Sequence, residues 1–191
     1  NKKNFDYAIL LLKDLLKQAP GFVEGRIILR GAQNTKKGGG SLFSKIVGTA
    51  TSSPALAKGE MALRKGNHAT ALAQAEEVLT DDPESKPGHR LLAQAANAME
   101  LSRTALASAQ LLVKLAPDNK DYLRLLANVL EKLGDYEKAE EILGKLVSRH
   151  TNDFKLRQIY KDFSARATIN RGKYEKLSGG KGSVNDVVRD R

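Results

Sequence analysis

Cysteine and tryptophan are absent from the 191 residues, and the chain holds only five prolines, three histidines and 5% aromatic residues. Without cysteine there can be neither a disulfide framework nor a thiolate metal site, and a reducing compartment is permitted, so a cytoplasmic location is expected. No apolar run approaches the roughly 20 residues that a helix needs to cross a bilayer, so the sequence offers no integral membrane segment. No signal peptide is visible, and the chain opens in mid-pattern at Asn1, as a processed or trimmed N-terminus would.

Catalytic patterns are equally scarce. The stretches Lys36 to Ser41 and Gly179 to Ser183 combine lysine, glycine and serine but lack the G-x-x-x-x-G-K-[ST] order, and no buried strand precedes either. The acidic clusters Asp81, Asp82, Glu84 and Glu140, Glu141 fall at helix ends or on solvated faces, where no pair can be assigned to acid–base work. These absences predict a non-enzyme without cofactor or metal.

Charge is plentiful and unevenly placed. Nine basic residues against three acidic ones give +6 over 1–50, thirteen against fourteen give −1 over 51–150, and ten against five give +5 over 151–191. A near-neutral body with two basic ends favours acidic partners or surfaces through long-range attraction that salt weakens.

The organising stretch runs from Lys120 to Asp153. Leu123, Leu126, Ala127 and Leu130 recur at the i, i+3, i+4, i+7 spacing of one helix face, and Ala139, Leu143 and Leu146 do so after a turn at Gly134, Asp135 and Tyr136. Each helix alone would leave an apolar stripe exposed. With Lys120 as position 1, Leu126, Ala127, Gly134, Ala139, Leu143 and Leu146 occupy positions 7, 8, 15, 20, 24 and 27. One frame of 34 earlier these slots hold Leu92, Ala93, Glu100, Ala105, Ala109 and Leu112, and one more frame earlier Lys58, Gly59, Gly66, Ala71, Ala75 and Val78. Pro83 and Pro117 also stand 34 residues apart. Small residues at positions 8 and 20 suit a crossing where paired helices approach closely. The frame puts His68, His89 and His150 at positions 17, 4 and 31, on different faces, which predicts structural histidines rather than a metal or triad site.

This pattern resembles the tetratricopeptide repeat, a 34-residue helix-turn-helix unit that stacks on its neighbours. The resemblance implies an all-α fold, a right-handed solenoid of antiparallel helix pairs closed by a C-terminal capping helix. Full repeats are expected over 52–85, 86–119 and 120–153, and a capping helix over 152–168 that buries Leu156, Ile159, Tyr160, Phe163 and Ala167 and presents Arg157, Lys161 and Arg166 to solvent. Thr151 or Asn152 is the expected start signal there, as Ser53 with Pro54, and Asn119, are for earlier units. Residues 4–20 read as the second helix of a truncated repeat, which implies a missing upstream partner. Residues 23–51 read as a degenerate repeat with a Gly-rich insertion, in which Leu42, Phe43, Ile46 and Val47 form a short apolar helix face that fills the core, or else docks elsewhere. Residues 1–168 would thus form the repeat domain and 169–191 a mobile, basic, Gly-containing tail.

The resemblance further implies a protein-protein interaction scaffold with a concave groove lined by first-helix positions. Arg90 and Arg124 share position 5, Gln94 and Asn128 share position 9, and Asn97 and Asp121 fall on the same surface. Guanidinium groups hold carboxylates bidentately and amides pair with an extended backbone, so this chemistry suits an acidic or C-terminal peptide. The pattern of chaperone-binding repeats is missing, because Leu56, Glu60 and Leu91 stand where its lysine and asparagines belong. A second expectation is a stable subunit of a larger assembly, docked through its convex face, insertion and tail. Lys36, Lys37, Phe43, Lys45, Lys173, Lys176 and Lys181 would provide secondary contacts. The same basic ends allow a weaker reading as a nucleic-acid binder, against which stand the neutral body and the lack of a stacking platform. No oligomeric state follows from the sequence.

Overall fold

The computed structural model describes residues 2–36 and 53–178. Among them every regular element is an α-helix: α1 (Lys2–Gln18), α2 (Val23–Lys36), α3 (Pro54–Arg64), α4 (His68–Asp81), α5 (Lys86–Ala98), α6 (Ser102–Leu115), α7 (Lys120–Lys132), α8 (Tyr136–Arg149) and α9 (Phe154–Ser178). The chain divides into two compact units, 1–129 and 130–191, with the division falling inside α7.

In the first unit α3 packs on α4, α4 on α5 and α5 on α6, and the first helices α3 and α5 also touch. Buried Leu56, Leu72, Leu79, Leu91 and Leu92 fill this stack together with Ala71, Ala75, Ala95, Ala96 and Ala105. Each such leucine contributes about 2 kcal/mol on removal from water, but only if a neighbouring helix covers it. The small residues do what their positions predict. A Cβ on Gly59 would stand 2.3 Å from Leu91 Cδ2 and 3.0 Å from Gln74 Cβ, so α3 meets α5 and α4 at a distance only glycine permits. Ala93 at the equivalent slot and Ala71 and Ala105 at position 20 are fully buried.

Helix starts are fixed by short polar side chains. Asn67 Oδ1 accepts from Thr70 N at 3.1 Å, Ser85 Oγ from Gly88 N at 3.3 Å, and Asn119 Oδ1 from Asp121 N and Tyr122 N at 3.0 and 3.1 Å. Ser53 precedes Pro54 as expected but makes no side-chain cap bond. At α9 the cap is Asp153, whose Oδ1 accepts from Leu156 N at 3.0 Å, rather than Thr151 or Asn152.

The α1–α2 hairpin is attached differently from the repeats. Its turn is closed by Phe22 N donating to Ala19 O at 3.1 Å, and Leu16, Val23 and Leu29 are buried. Residues 4–20 read from sequence as one helix of a preceding repeat, yet the hairpin's ion pairs reach α4 and α6, which are second helices of their pairs. The hairpin therefore lies against the second-helix side of the stack. Its other side leaves Tyr7, Leu10, Leu11, Leu15, Ile27 and Ile28 exposed.

In the second unit α9 packs on α8; of the apolar stripe read from the sequence, Leu156, Phe163 and Ala167 are buried, while Ile159 and Tyr160 are only partly covered. Arg166 is exposed, as expected, and its Nε donates to Glu131 Oε1 at 2.6 Å while its guanidinium lies 5.6 Å from the Phe163 ring centroid. The helix also continues to Ser178, past the expected end at 168, since no proline interrupts 169–178 and a single Gly172 is a weak breaker. The part of the expected tail over 179–191 and the insertion segment 37–52, where a short apolar helix was expected, lie outside the described residues.

Position 15 of the repeat requires a left-handed backbone. Gly66 and Gly134 adopt φ of 74° and 80°, and Glu100 at the same slot is driven to φ 59°. An L-residue there costs more than glycine because its Cβ crowds the following carbonyl. Replacing Glu100 with glycine is therefore expected to stabilise the chain by about 1 kcal/mol, read as a higher denaturation midpoint with unchanged slope.

Candidate functional site

The six groove residues all fall in the first unit. Arg90, Gln94 and Asn97 lie on α5, and Asp121, Arg124 and Asn128 on α7. Asp121 and Asn128 are exposed, while the other four are partly covered. The expected ladder of cations and amides proves to be partly self-neutralised. Arg90 Nη2 donates to Glu60 Oε1 of α3 at 2.5 Å, and Arg90 Nε is buried without an acceptor among the described residues. Arg124 Nη1 stands 3.8 Å from Asp121 Oδ1, one turn away on its own helix. Both arginines are about two-fifths exposed, so each pair contributes little to stability. Of the proposed secondary contacts, Lys36 pairs with Asp6 at 2.5 Å, Lys173 and Lys176 fall within α9, and Lys37, Phe43, Lys45 and Lys181 lie outside the described residues.

A second charged cluster lies where the hairpin meets the stack. Arg26 Nε donates to Glu76 Oε1 at 2.7 Å, and Arg26 Nη1 donates to Pro20 O and, at 3.3 Å, to Thr104 Oγ1. Arg30 Nη2 donates to the other oxygen of Glu76, and its Nη1 to Gln33 Oε1 at 2.7 Å. Gln33 Nε2 in turn reaches Thr80 Oγ1 at 3.4 Å. The side chains of Arg26, Arg30 and Glu76 are 7%, 14% and 14% exposed, so solvent screens them poorly. Burial holds the Arg30 guanidinium below its ordinary pKa; Glu76 opposes that shift and Arg26 adds to it. The sequence reading did not find this cluster. Its signal was Arg26 and Arg30 one turn apart on α2, and Glu76 set in an alanine-rich helix.

His89 is structural. It is buried, its Nε2 lies 2.9 Å from Pro83 O, and its Nδ1 has no partner among the described residues. The neutral ring donates from Nε2 to that carbonyl. Burial pushes its pKa down, the Pro83 carbonyl opposes the shift, and nearby Arg30 reinforces it.

Helix pairs in sequence order, small residues at each crossing and a polar first-helix surface define a helical-repeat scaffold. Residues 121–153 match the family model described as tetratricopeptide repeat, and this stretch is such a repeat. No curated protein sequence matches the chain. Helix packing in the stack is that of a tetratricopeptide solenoid, a family of protein-interaction scaffolds that generally lack enzymatic activity. No described helix is long and apolar enough to cross a membrane.

Two predictions follow from the charged cluster and its neighbour. Glu76→Gln leaves two buried guanidinium groups without a counter-charge and should cost about 3 kcal/mol in urea unfolding, with amide protection in α1 and α2 lost first. Because the folded pKa of His89 is depressed below 6.5, the folded state resists protonation. The stability this gives is complete above pH 6.5 and falls as pH drops through the folded value. The loss between pH 7 and 5 should be smaller in His89→Gln, whose amide can still donate to Pro83 O.

Proposed function

We propose that the chain captures an acidic peptide segment of a protein partner on the first-helix surface carrying Arg90, Gln94, Asn97, Asp121, Arg124 and Asn128. The observation that carries this reading is the state of the two arginines. Arg90 donates to the part-buried Glu60, which presents its guanidinium already oriented for carboxylate recognition, and Arg124 stands 3.8 Å from the exposed Asp121. An incoming peptide carboxylate replaces Glu60 or Asp121 without moving the helix, while Gln94 and Asn128 offer amides to its backbone. Nothing in this chemistry calls for a cofactor, and the scaffold acts by holding its partner.

One observation favours the second reading, a stably bound subunit of a larger assembly. Tyr7, Leu10, Leu11 and Leu15 form one exposed face of α1, and Ile27 and Ile28 are exposed on α2. An exposed apolar helix face such as that of α1 favours a protein-interaction site. The two readings predict different salt responses. Capture through the arginines weakens modestly as salt rises, because each exchanges one carboxylate for another, whereas association through the apolar face persists.

Charge reversal at both positions, Arg90→Glu with Arg124→Glu, should lower the retention of acidic peptides by at least tenfold in a pull-down or fluorescence titration and leave helicity intact. Unchanged retention in the double variant would remove the groove from the function. Glu60→Gln, which frees Arg90, should raise affinity about threefold in the same titration.

A further inference from the structure

Between the α1–α2 hairpin and α4 lies a cavity of 410 Å³. Leu16, Leu29, Leu72 and Met99 supply its apolar wall, and Arg26 and Glu76 line it as well. The volume falls within the roughly 300–1,000 Å³ of small-molecule sites. A cavity of about 150 Å³ accepts a benzene ring, so this one holds an alkyl chain of about ten carbons.

Its electrostatics select the head group. Arg26 and Arg30 share one carboxylate, Glu76, while Lys13 pairs with Glu77 at 3.1 Å and Lys17 with Asp14 at 2.9 Å. Among the residues lining the cavity, the three cations Lys13, Lys17 and Arg26 face the two carboxylates Glu76 and Glu77, an excess of one positive charge. His89, beside the same cluster, contributes none in its neutral form. Arg26, which lines the cavity, donates through Nε to Glu76 and through Nη1 to Pro20 O and Thr104 Oγ1. Arg26, 7% exposed, shares its one carboxylate with Arg30, and an anion on an apolar chain satisfies both the wall and this half-compensated charge.

We propose that this cavity is a binding site for a medium-chain alkyl carboxylate, its chain against Leu16, Leu29 and Leu72 and its carboxylate at Arg26. The site lies on the second-helix side of the stack and is independent of the peptide groove.

The test is calorimetric titration of the full chain with decanoate, with decylamine as the cationic control. Saturable 1:1 binding is expected, at least tenfold tighter for decanoate than for decylamine. Ala73, an exposed residue of α4 at the cavity wall, gives a blocking variant that spares the core. Ala73→Phe should weaken decanoate by at least tenfold with unchanged circular dichroism, and Ala69→Phe, from the neighbouring wall position, provides a second blocked form. Three results would each overturn the proposal: no saturation below 1 mM decanoate, roughly the ceiling of weak specific binding; equal affinity for decylamine; or full binding in both phenylalanine variants.

Discussion

The close crossing of helix backbones is the constraint on which the rest of the stack depends. At Gly59 the space for a side chain is already taken by Leu91 and Gln74, and Ala93 at the equivalent position and Ala71 and Ala105 at position 20 have no exposed surface. A helix brought this near its neighbour exchanges surface with it along a whole face. That is how a chain with 5% aromatic residues buries a core built from leucine and alanine. The same closeness sets the turn chemistry. Three residues separate α3 from α4 and likewise α5 from α6, and the chain reverses through one left-handed residue, at Gly66 and at Glu100. Stability then accumulates between neighbours instead of around one centre, and each helix pair is only as stable as the pair that covers it.

The α1–α2 hairpin follows a different rule. Its buried leucines contribute as the others do, but its orientation is fixed by polar atoms: both oxygens of Glu76 are occupied by arginines one turn apart on α2, and Thr104 of α6 accepts from the first of them. Buried ion pairs of this sort add little net stability relative to an apolar contact, but they tolerate few alternative geometries. The hairpin is thus positioned by hydrogen bonds of fixed direction at a surface where apolar packing alone would allow it to slide. The cavity beside the cluster marks where this polar solution leaves packing incomplete.

Much of this was legible in the residues. The 34-residue spacing locates six helices and their turns, because a repeating unit must present the same small residue at every crossing and the same permissive backbone at every turn. Glu100 shows that the spacing carries more information than residue type, since it takes the glycine conformation without being glycine. What the pattern hides is any contact outside the period. Arg26 and Arg30 resemble solvated helix residues until Glu76, some fifty positions later, is brought beside them. The continuation of α9 to Ser178 was obscured for a related reason: its charged, glycine-containing sequence has a tail-like composition but lacks a residue that forbids helix. The six groove residues were legible as chemistry, while the pairing of Arg90 with Glu60 was not, because position 9 of one repeat reaching position 5 of the next is a statement about stacking.

That pairing decides what the groove can discriminate. A free guanidinium attracts any anion at long range, and its affinity is governed by ionic strength. A guanidinium already held by Glu60 gains almost no Coulomb energy when one carboxylate is exchanged for another, so the exchange is favourable only if the incoming group adds contacts that Glu60 does not make. Gln94 and Asn128, which can pair with a peptide backbone, are the source of such contacts. If this surface is the binding groove proposed above, it would reject isolated anions and retain acidic groups carried on an extended chain. The near-neutral charge over 51–150 serves the same end, because it leaves the repeat body without the long-range field that would draw in every polyanion regardless of fit.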